Sequence, residues 1–169
     1  MARLFLGLWP DAVTRARLAG FRDAWTWPEG ARPVPDDRLH LTLHFIGSFP
    51  REGIGALADR LAAVPPRATT LRARGPELWR GGVAVLRLEA DAALADLHEE
   101  LGASLSALGV PLDTRPFAPH VTLARKATRA RRPLAPMELD WPADRFALVE
   151  SIAGSNPAYH LLRVYEPSA

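Results

Sequence analysis

The chain has no cysteine. That one absence removes disulfide staples, thiolate nucleophiles and cysteine-ligated zinc together. Staples are not needed, because 169 residues suffice for one domain that buries roughly 70% of the surface its unfolded form exposes. No apolar run reaches the ~18 residues that a membrane span requires. The apolar opening, Met1 to Pro10, is too short for a secretory core and no small-residue cleavage site follows it. It reads as a first strand, and the expectation is a cytoplasmic monomer with no membrane partner. Lysine is almost missing: Lys126 stands alone among 21 basic residues, the rest being arginine. Arginine titrates far above neutrality, so a net charge of only +2 coexists with a pI near 9.6.

What is present alternates strands, helices and Pro-rich loops. Arg3 to Trp9 reads as a strand, and Pro10-Asp11 opens a helix that runs to about Trp25. Pro28 to Asp37 is a loop, and Leu39 to Ile46 a strand closed by Gly47 and Pro50. Ile54, Leu57, Leu61 and Val64 form a helical stripe. Thr69–Arg74 and Val83–Glu89 read as strands around a Gly81-Gly82 turn. Leu94, Leu97, Leu101, Leu105 and Leu108 mark the clearest helix, with Asp91 as its N-cap and Gly109 as its stop. A second Pro-rich loop, Pro111 to Pro119, leads into a strand from His120 to Ala124. Phe146–Ile152 and Leu161–Tyr165 close the chain.

Two short segments repeat within this order: His40-Leu41-Thr42-Leu43 and His120-Val121-Thr122-Leu123. Shuffling this composition gives roughly 0.2 His-x-Thr triplets, and two followed by leucine arise about once in a thousand shuffles. They lie 80 residues apart, each at the start of a strand after a Pro-rich loop, which suggests a diverged duplication. The expected fold is α+β: residues 1–169 as one domain of two similar lobes, antiparallel sheets lining a central cleft, helices outside.

Side chains alternate along a strand, so His40 and Thr42 share one face while Leu41 and Leu43 face the core. His120 and Thr122 repeat this over Val121 and Leu123. Two imidazoles and two hydroxyls suit transfer at a phosphodiester. A neutral ring removes a proton from the attacking oxygen, an imidazolium protonates the departing one, and both forms exist near neutrality. Each proton transfer contributes roughly 10²–10⁴-fold. The hydroxyls would donate to the non-bridging oxygens. No metal and no cofactor is called for.

In these segments the chain resembles the two-histidine phosphoesterases, and among them the bacterial and archaeal RNA 2′,3′-cyclic phosphodiesterases, first named 2′-5′ RNA ligases. Arg3-Leu4-Phe5-Leu6-Gly7-Leu8-Trp9-Pro10, Leu39 to Gly47, Phe117 to Arg125 and, more weakly, Glu150-Ser151 before Tyr159 carry the likeness. The resemblance implies a bilobed fold with the motifs facing across a cleft, and hydrolysis of a 2′,3′-cyclic phosphate on RNA ends or nucleotides to a 2′-phosphomonoester. It implies His40 as proton donor to the 3′-oxygen, His120 as proton acceptor from water, Thr42 and Thr122 on the phosphate, and Arg125 on phosphate or base. In an unbroken strand Arg125 would face away from His120, so it reaches the site only if the strand ends or bulges near Ala124.

Three other readings compete. Both histidines could be strand residues satisfied locally. His40 and His44 could begin a zinc site, although neither motif has a carboxylate or cysteine close by. The basic stretch Arg125, Lys126, Arg129, Arg131 and Arg132 could serve a non-catalytic RNA-binding module, with tryptophans as stacking faces. His44 shares the face of His40 and is placed either in the cleft or at the surface. His98 is expected in solvent, and His160 is assigned no role. Ligation driven by ATP would need a lysine nucleophile, and Lys126 lies in no phosphate-binding loop. Any ligation would therefore be energy-neutral transfer to an RNA 5′-hydroxyl.

Overall fold

A computed structural model describes residues 1–169. In chain order the elements are β1 (Ala2–Leu8), α1 (Ala12–Asp23), β2 (Arg32–Pro33), β3 (Leu41–Phe49), α2 (Ile54–Leu61), β4 (Thr69–Trp79), β5 (Val83–Glu89), α3 (Ala92–Ala107), β6 (His120–Arg125), β7 (Asp140–Ala143), β8 (Phe146–Ser151) and β9 (Tyr159–Tyr165). Asp11 and Asp91 cap α1 and α3, accepting from Thr14 N at 2.7 Å and from Leu94 N at 2.8 Å. Each satisfies an otherwise orphaned first-turn donor. The long helix and β6 stand where the residue pattern predicts them, whereas β3 begins at Leu41 instead of Leu39 and runs on to Phe49 instead of Ile46.

All strand pairs are antiparallel, and the strands follow one another as β7-β4-β5-β6-β3-β1-β8-β9, with β2 attached to β6. The result is an α+β fold built on one curled half-barrel. The antiparallel strands form one continuous sheet, joined at its middle by one backbone pairing, Leu41 with Val121. On either side of that joint the chain runs strand, helix, strand. β3 returns to lie beside β1 after α1, and β6 returns to lie beside β5 after α3.

One face of the sheet is apolar because the alternate residues are. Leu4, Leu6 and Leu8 of β1, Leu41 and Leu43 of β3, and Val121 and Leu123 of β6 pack into a single core with Leu18, Leu57, Leu61, Leu94, Leu97, Leu101 and Leu105 from the helices. Truncating such a leucine typically costs about 2–5 kcal/mol. The opposite face is left open beside the Leu41–Val121 joint.

Both motif strands bulge at the same place. Thr42 pairs with Gly7 and His44 with Leu6, so Leu43 is an extra residue. Thr122 pairs with Val85 and Ala124 with Ala84, so Leu123 is its counterpart. A bulge reverses the alternation beyond it. Leu123 and Ala124 are accordingly both fully buried.

Several boundaries differ from the expected ones. β4 continues to Trp79 because its register shift near Gly75 absorbs the Gly75-Pro76 step. β7, containing Pro142, is a short strand at the sheet's edge, where a residue without an amide hydrogen is tolerated. β9 begins two residues earlier than expected, and α1 ends at Asp23, before Trp25.

The β4–β5 turn also braces the segment that follows β6. Ala127 N donates to Gly82 O at 2.8 Å. Gly82 has φ +76°, and a Cβ there would lie 2.8 Å from Thr128 Oγ1 and 3.0 Å from the amides of Ala127 and Thr128, whereas Gly81, at φ +87°, faces open space. Gly82→Ala should therefore lower the urea midpoint more than Gly81→Ala, which incurs only backbone strain of about 1–3 kcal/mol. Equal losses in the two variants would contradict this contact.

Candidate active site

The geometry of the site follows from the central joint. Leu41 pairs with Val121 in antiparallel register. One residue to either side, His40 lies toward Thr122 and Thr42 toward His120, all four on the face away from the core. Leu41 and Val121 are wholly buried beneath them, and His40, Thr42, His120 and Thr122 line one cleft. The pattern thus brings together the four residues that alternation placed on a common face.

The two rings are held alike. His40 Nδ1 donates to Arg38 O at 2.6 Å, and His120 Nδ1 donates to Ala118 O at 2.8 Å. A carbonyl can only accept, so in the neutral ring Nδ1 carries the hydrogen and Nε2 is left as the basic nitrogen. Thr42 Oγ1 lies 3.1 Å from His40 Nε2 and donates to it.

Aromatic packing fixes the ring planes. The indole of Trp9 stacks on His40 at 4.7 Å with planes 7° apart. Phe5 and Tyr159 approach the same ring at 5.2 and 5.3 Å. Gly7 lies under it, where a Cβ would stand 2.9 Å from Leu41 O and 3.1 Å from the Trp9 ring. On the other side Trp79 packs against His120 at 4.4 Å, and its indole N–H donates to Glu77 at 2.6 Å. Trp9, Trp79 and Tyr159 are site residues that the residue pattern did not single out. A tryptophan at a strand end reads as ordinary packing, and only the fold shows which ring it touches.

Burial disfavours the charged form of both histidines. It pushes His40 down to about 4, with the charges of His120 and Arg125 adding to the effect and the Arg38 carbonyl opposing it. Burial also lowers His120, aided by Arg87 and Arg125 and opposed by the Ala118 carbonyl and Glu77. In the free protein near neutrality both rings are therefore neutral.

Arg125 reaches the site because of the bulge at Leu123. The extra residue turns Arg125 onto the face of His120, and Arg125 lines the cleft. The matching bulge at Leu43 brings Phe45 to the equivalent position and swings His44 away. His44 is therefore neither a cleft residue nor a surface one. It lies beneath α3, donating from Nε2 to His98 O at 2.7 Å, its ring 4.0 Å from that of His98. His98 is not solvated as expected, since it is sandwiched between His44 and Phe117, the latter 3.8 Å away, and burial pushes it down to about 4. His40 and His44 face opposite sides of the sheet and do not form a zinc pair. No group of three or more histidines and carboxylates converges anywhere in the chain. Of the basic stretch only Arg125 reaches the cleft. Arg131 instead pairs through its backbone with Thr26.

Neutral imidazoles at hydroxyl-lined positions, beside an arginine, can exchange protons with a bound phosphodiester and hold its oxygens. The fold is that of a phosphoesterase: a solved phosphoesterase structure matches at a TM-score of 0.85 and 27% identity, over 100% of both chains. The chain belongs to the 2′-5′ RNA ligase superfamily, whose family model matches residues 8–154. The RNA 2′,3′-cyclic phosphodiesterase of Thermus thermophilus is 35% identical, over 96% of this chain and 89% of its own. That of Escherichia coli is 32% identical, over 76% and 74%. The structure of E. coli LigT complexed with 3′-AMP matches at a TM-score of 0.85 and 26% identity over 99% of both chains.

The depressed histidines make stability depend on pH. The unfolded chain takes up histidine protons near 6.5, while folded His40 and His98 do so only near 4 and His44 and His120 are also lowered. Their stabilisation is complete above about 6.5 and drains as pH falls toward 4. His40 alone should remove about 2 kcal/mol by pH 5. The melting temperature is expected to fall by several degrees between pH 7 and pH 5, followed by circular dichroism, and a flat profile would contradict the burial of these rings.

Proposed function

We propose that this protein hydrolyses the 2′,3′-cyclic phosphate of RNA ends or nucleotides to a 2′-phosphomonoester, using His40 and His120 as a metal-independent acid–base pair. The observation that carries the reading is the meeting of the two motifs. Imidazoles 80 residues apart in sequence line one cleft, each with its Nδ1 committed to a backbone carbonyl, which makes Nε2 the basic nitrogen. Membership of the family, and the activity for which its curated relatives are named, supply the substrate.

In this mechanism water attacks phosphorus and the bond from phosphorus to the 3′-oxygen breaks. His120 Nε2 takes the proton from water. Protonated His40 gives a proton to the 3′-oxygen, leaving a 3′-hydroxyl and a 2′-phosphate. Thr42, Thr122 and Arg125 donate to the non-bridging oxygens, where negative charge grows. With an RNA 5′-hydroxyl in the place of water, the same displacement joins ends through a 2′-5′ bond without ATP, and dilute aqueous conditions favour hydrolysis. The lone lysine, Lys126, takes no part. The proposed unit is one domain of two similar lobes acting as a monomer.

Incubation with a cyclic mononucleotide in EDTA should yield the 2′-phosphate at an undiminished rate. A 3′-phosphate product would reverse the choice of leaving oxygen, and loss of turnover restored by one metal would overturn the mechanism. Replacing either histidine by alanine should lower kcat by at least about 10²-fold, and Thr42→Ala or Thr122→Ala by about 10²-fold. A chain that binds RNA through its basic stretch and never turns over would instead fit the module reading.

The rate should follow a bell in pH. The profile of kcat/KM reports the free protein, where both rings are lowered. Its maximum should therefore fall below pH 6.5. A bound phosphate opposes that depression, so the maximum of kcat should lie at higher pH. Coincident maxima above neutrality would contradict this account.

A further inference from the structure

The cleft carries more positive charge than one reacting phosphate can use. Three arginines line it, Arg3, Arg38 and Arg125, and no carboxylate does. None of the three belongs to an ion pair, although ten ion pairs are spread over the rest of the chain. A cyclic phosphodiester bears a single negative charge, which Arg125 and the two threonine hydroxyls already meet in the proposed mechanism.

Arg38 stands out among the arginines. Four of them, Arg15, Arg38, Arg67 and Arg87, have an Nε that is buried without a partner. Arg15, Arg67 and Arg87 each hold an acceptor through a terminal nitrogen, on Pro10 O, Glu100 and Glu77 respectively. The Arg38 side chain holds none. A buried guanidinium nitrogen left unpaired costs free energy that an anion recovers.

Its position is also fixed in advance. Arg38 ends a short helical turn begun by Asp36, and Asp36 is paired at 2.7 Å with Arg22, a nearly buried arginine that also donates to Val34 O at 2.6 Å. Arg3 reaches the same cleft from β1, two residues before Phe5 on the same face. Thus two cations without an ion-pair partner line the cleft that holds the histidines.

We propose that Arg38 and Arg3 bind the phosphates neighbouring the reacting one, so that the site selects the end of an RNA chain over a cyclic mononucleotide. The inference rests on the cyclic phosphodiesterase reading and extends it to the class of substrate. Single-stranded polynucleotide, with one phosphate per nucleotide, supplies the additional anions. Each phosphate contact contributes about 0.7 to the logarithmic salt dependence of binding.

The test compares a trinucleotide ending in a 2′,3′-cyclic phosphate with the corresponding cyclic mononucleotide, across a series of salt concentrations. For the wild type, kcat/KM should be at least about ten-fold higher on the trinucleotide, with a steeper salt slope. Arg38→Gln and, independently, Arg3→Gln should each lower the trinucleotide-to-mononucleotide ratio and flatten the trinucleotide slope by about 0.7. Arg38→Lys should restore part of the slope. Equal kcat/KM and equal slopes on the two substrates would overturn this inference while leaving the phosphodiesterase reading intact. A ratio unmoved by both glutamine variants would overturn it as well. Absence of turnover on both substrates would overturn the phosphodiesterase reading itself.

Discussion

One backbone pairing, Leu41 with Val121, sets the relation between the two halves of this molecule. Everything at the site is placed relative to it. The buried side chains of that pair face the helices, so their neighbours at 40, 42, 120 and 122 must face the other way. A slip of one residue at this joint would exchange the two sets and put leucines in the cleft. The large core beneath the sheet opposes such a slip, because Leu41, Leu43, Val121 and Leu123 are packed there against all three helices. Core packing and site geometry are thus the same constraint seen from opposite faces.

The residue pattern revealed the parts of the site that depend on period-two alternation and on the coincidence of two motifs. His40, Thr42, His120 and Thr122 required nothing more. The long helix was equally legible, since five leucines at helical spacing fit neither a strand nor a loop. What escaped detection was set by departures from regularity. No local signal marks Leu43 or Leu123 as a bulge, yet those bulges decide that Phe45 and Arg125 face the cleft and that His44 faces α3. The stacking of Trp9 on His40 was hidden for another reason: it joins elements whose proximity exists only in the folded sheet. β7 was missed because four residues with a proline at the sheet's edge carry almost no strand signature.

The two halves are alike in backbone and unlike in what surrounds each ring. His40 rests on Trp9, Phe5 and Tyr159, an apolar bed completed by Ala147 and Val149. His120 lies against Trp79, whose indole is tied to a carboxylate that itself leans toward Arg87. The position five residues after each histidine holds phenylalanine in one half and arginine in the other. The cleft is therefore not symmetric: Phe45 stands in one half where Arg125 stands in the other.

Each Nδ1 is tied to a main-chain oxygen in the same way. With both imidazoles anchored identically, neither tautomer marks one ring as source and the other as sink. In the proposed mechanism a completed hydrolysis leaves the pair with the hydrogen ion on the wrong partner. Before the next substrate can react, bulk solvent must carry that ion back across the groove. The spent arrangement is meanwhile the one primed to close the cyclic phosphate again, so a 2′-phosphate that stays bound meets a protein already set to run backward.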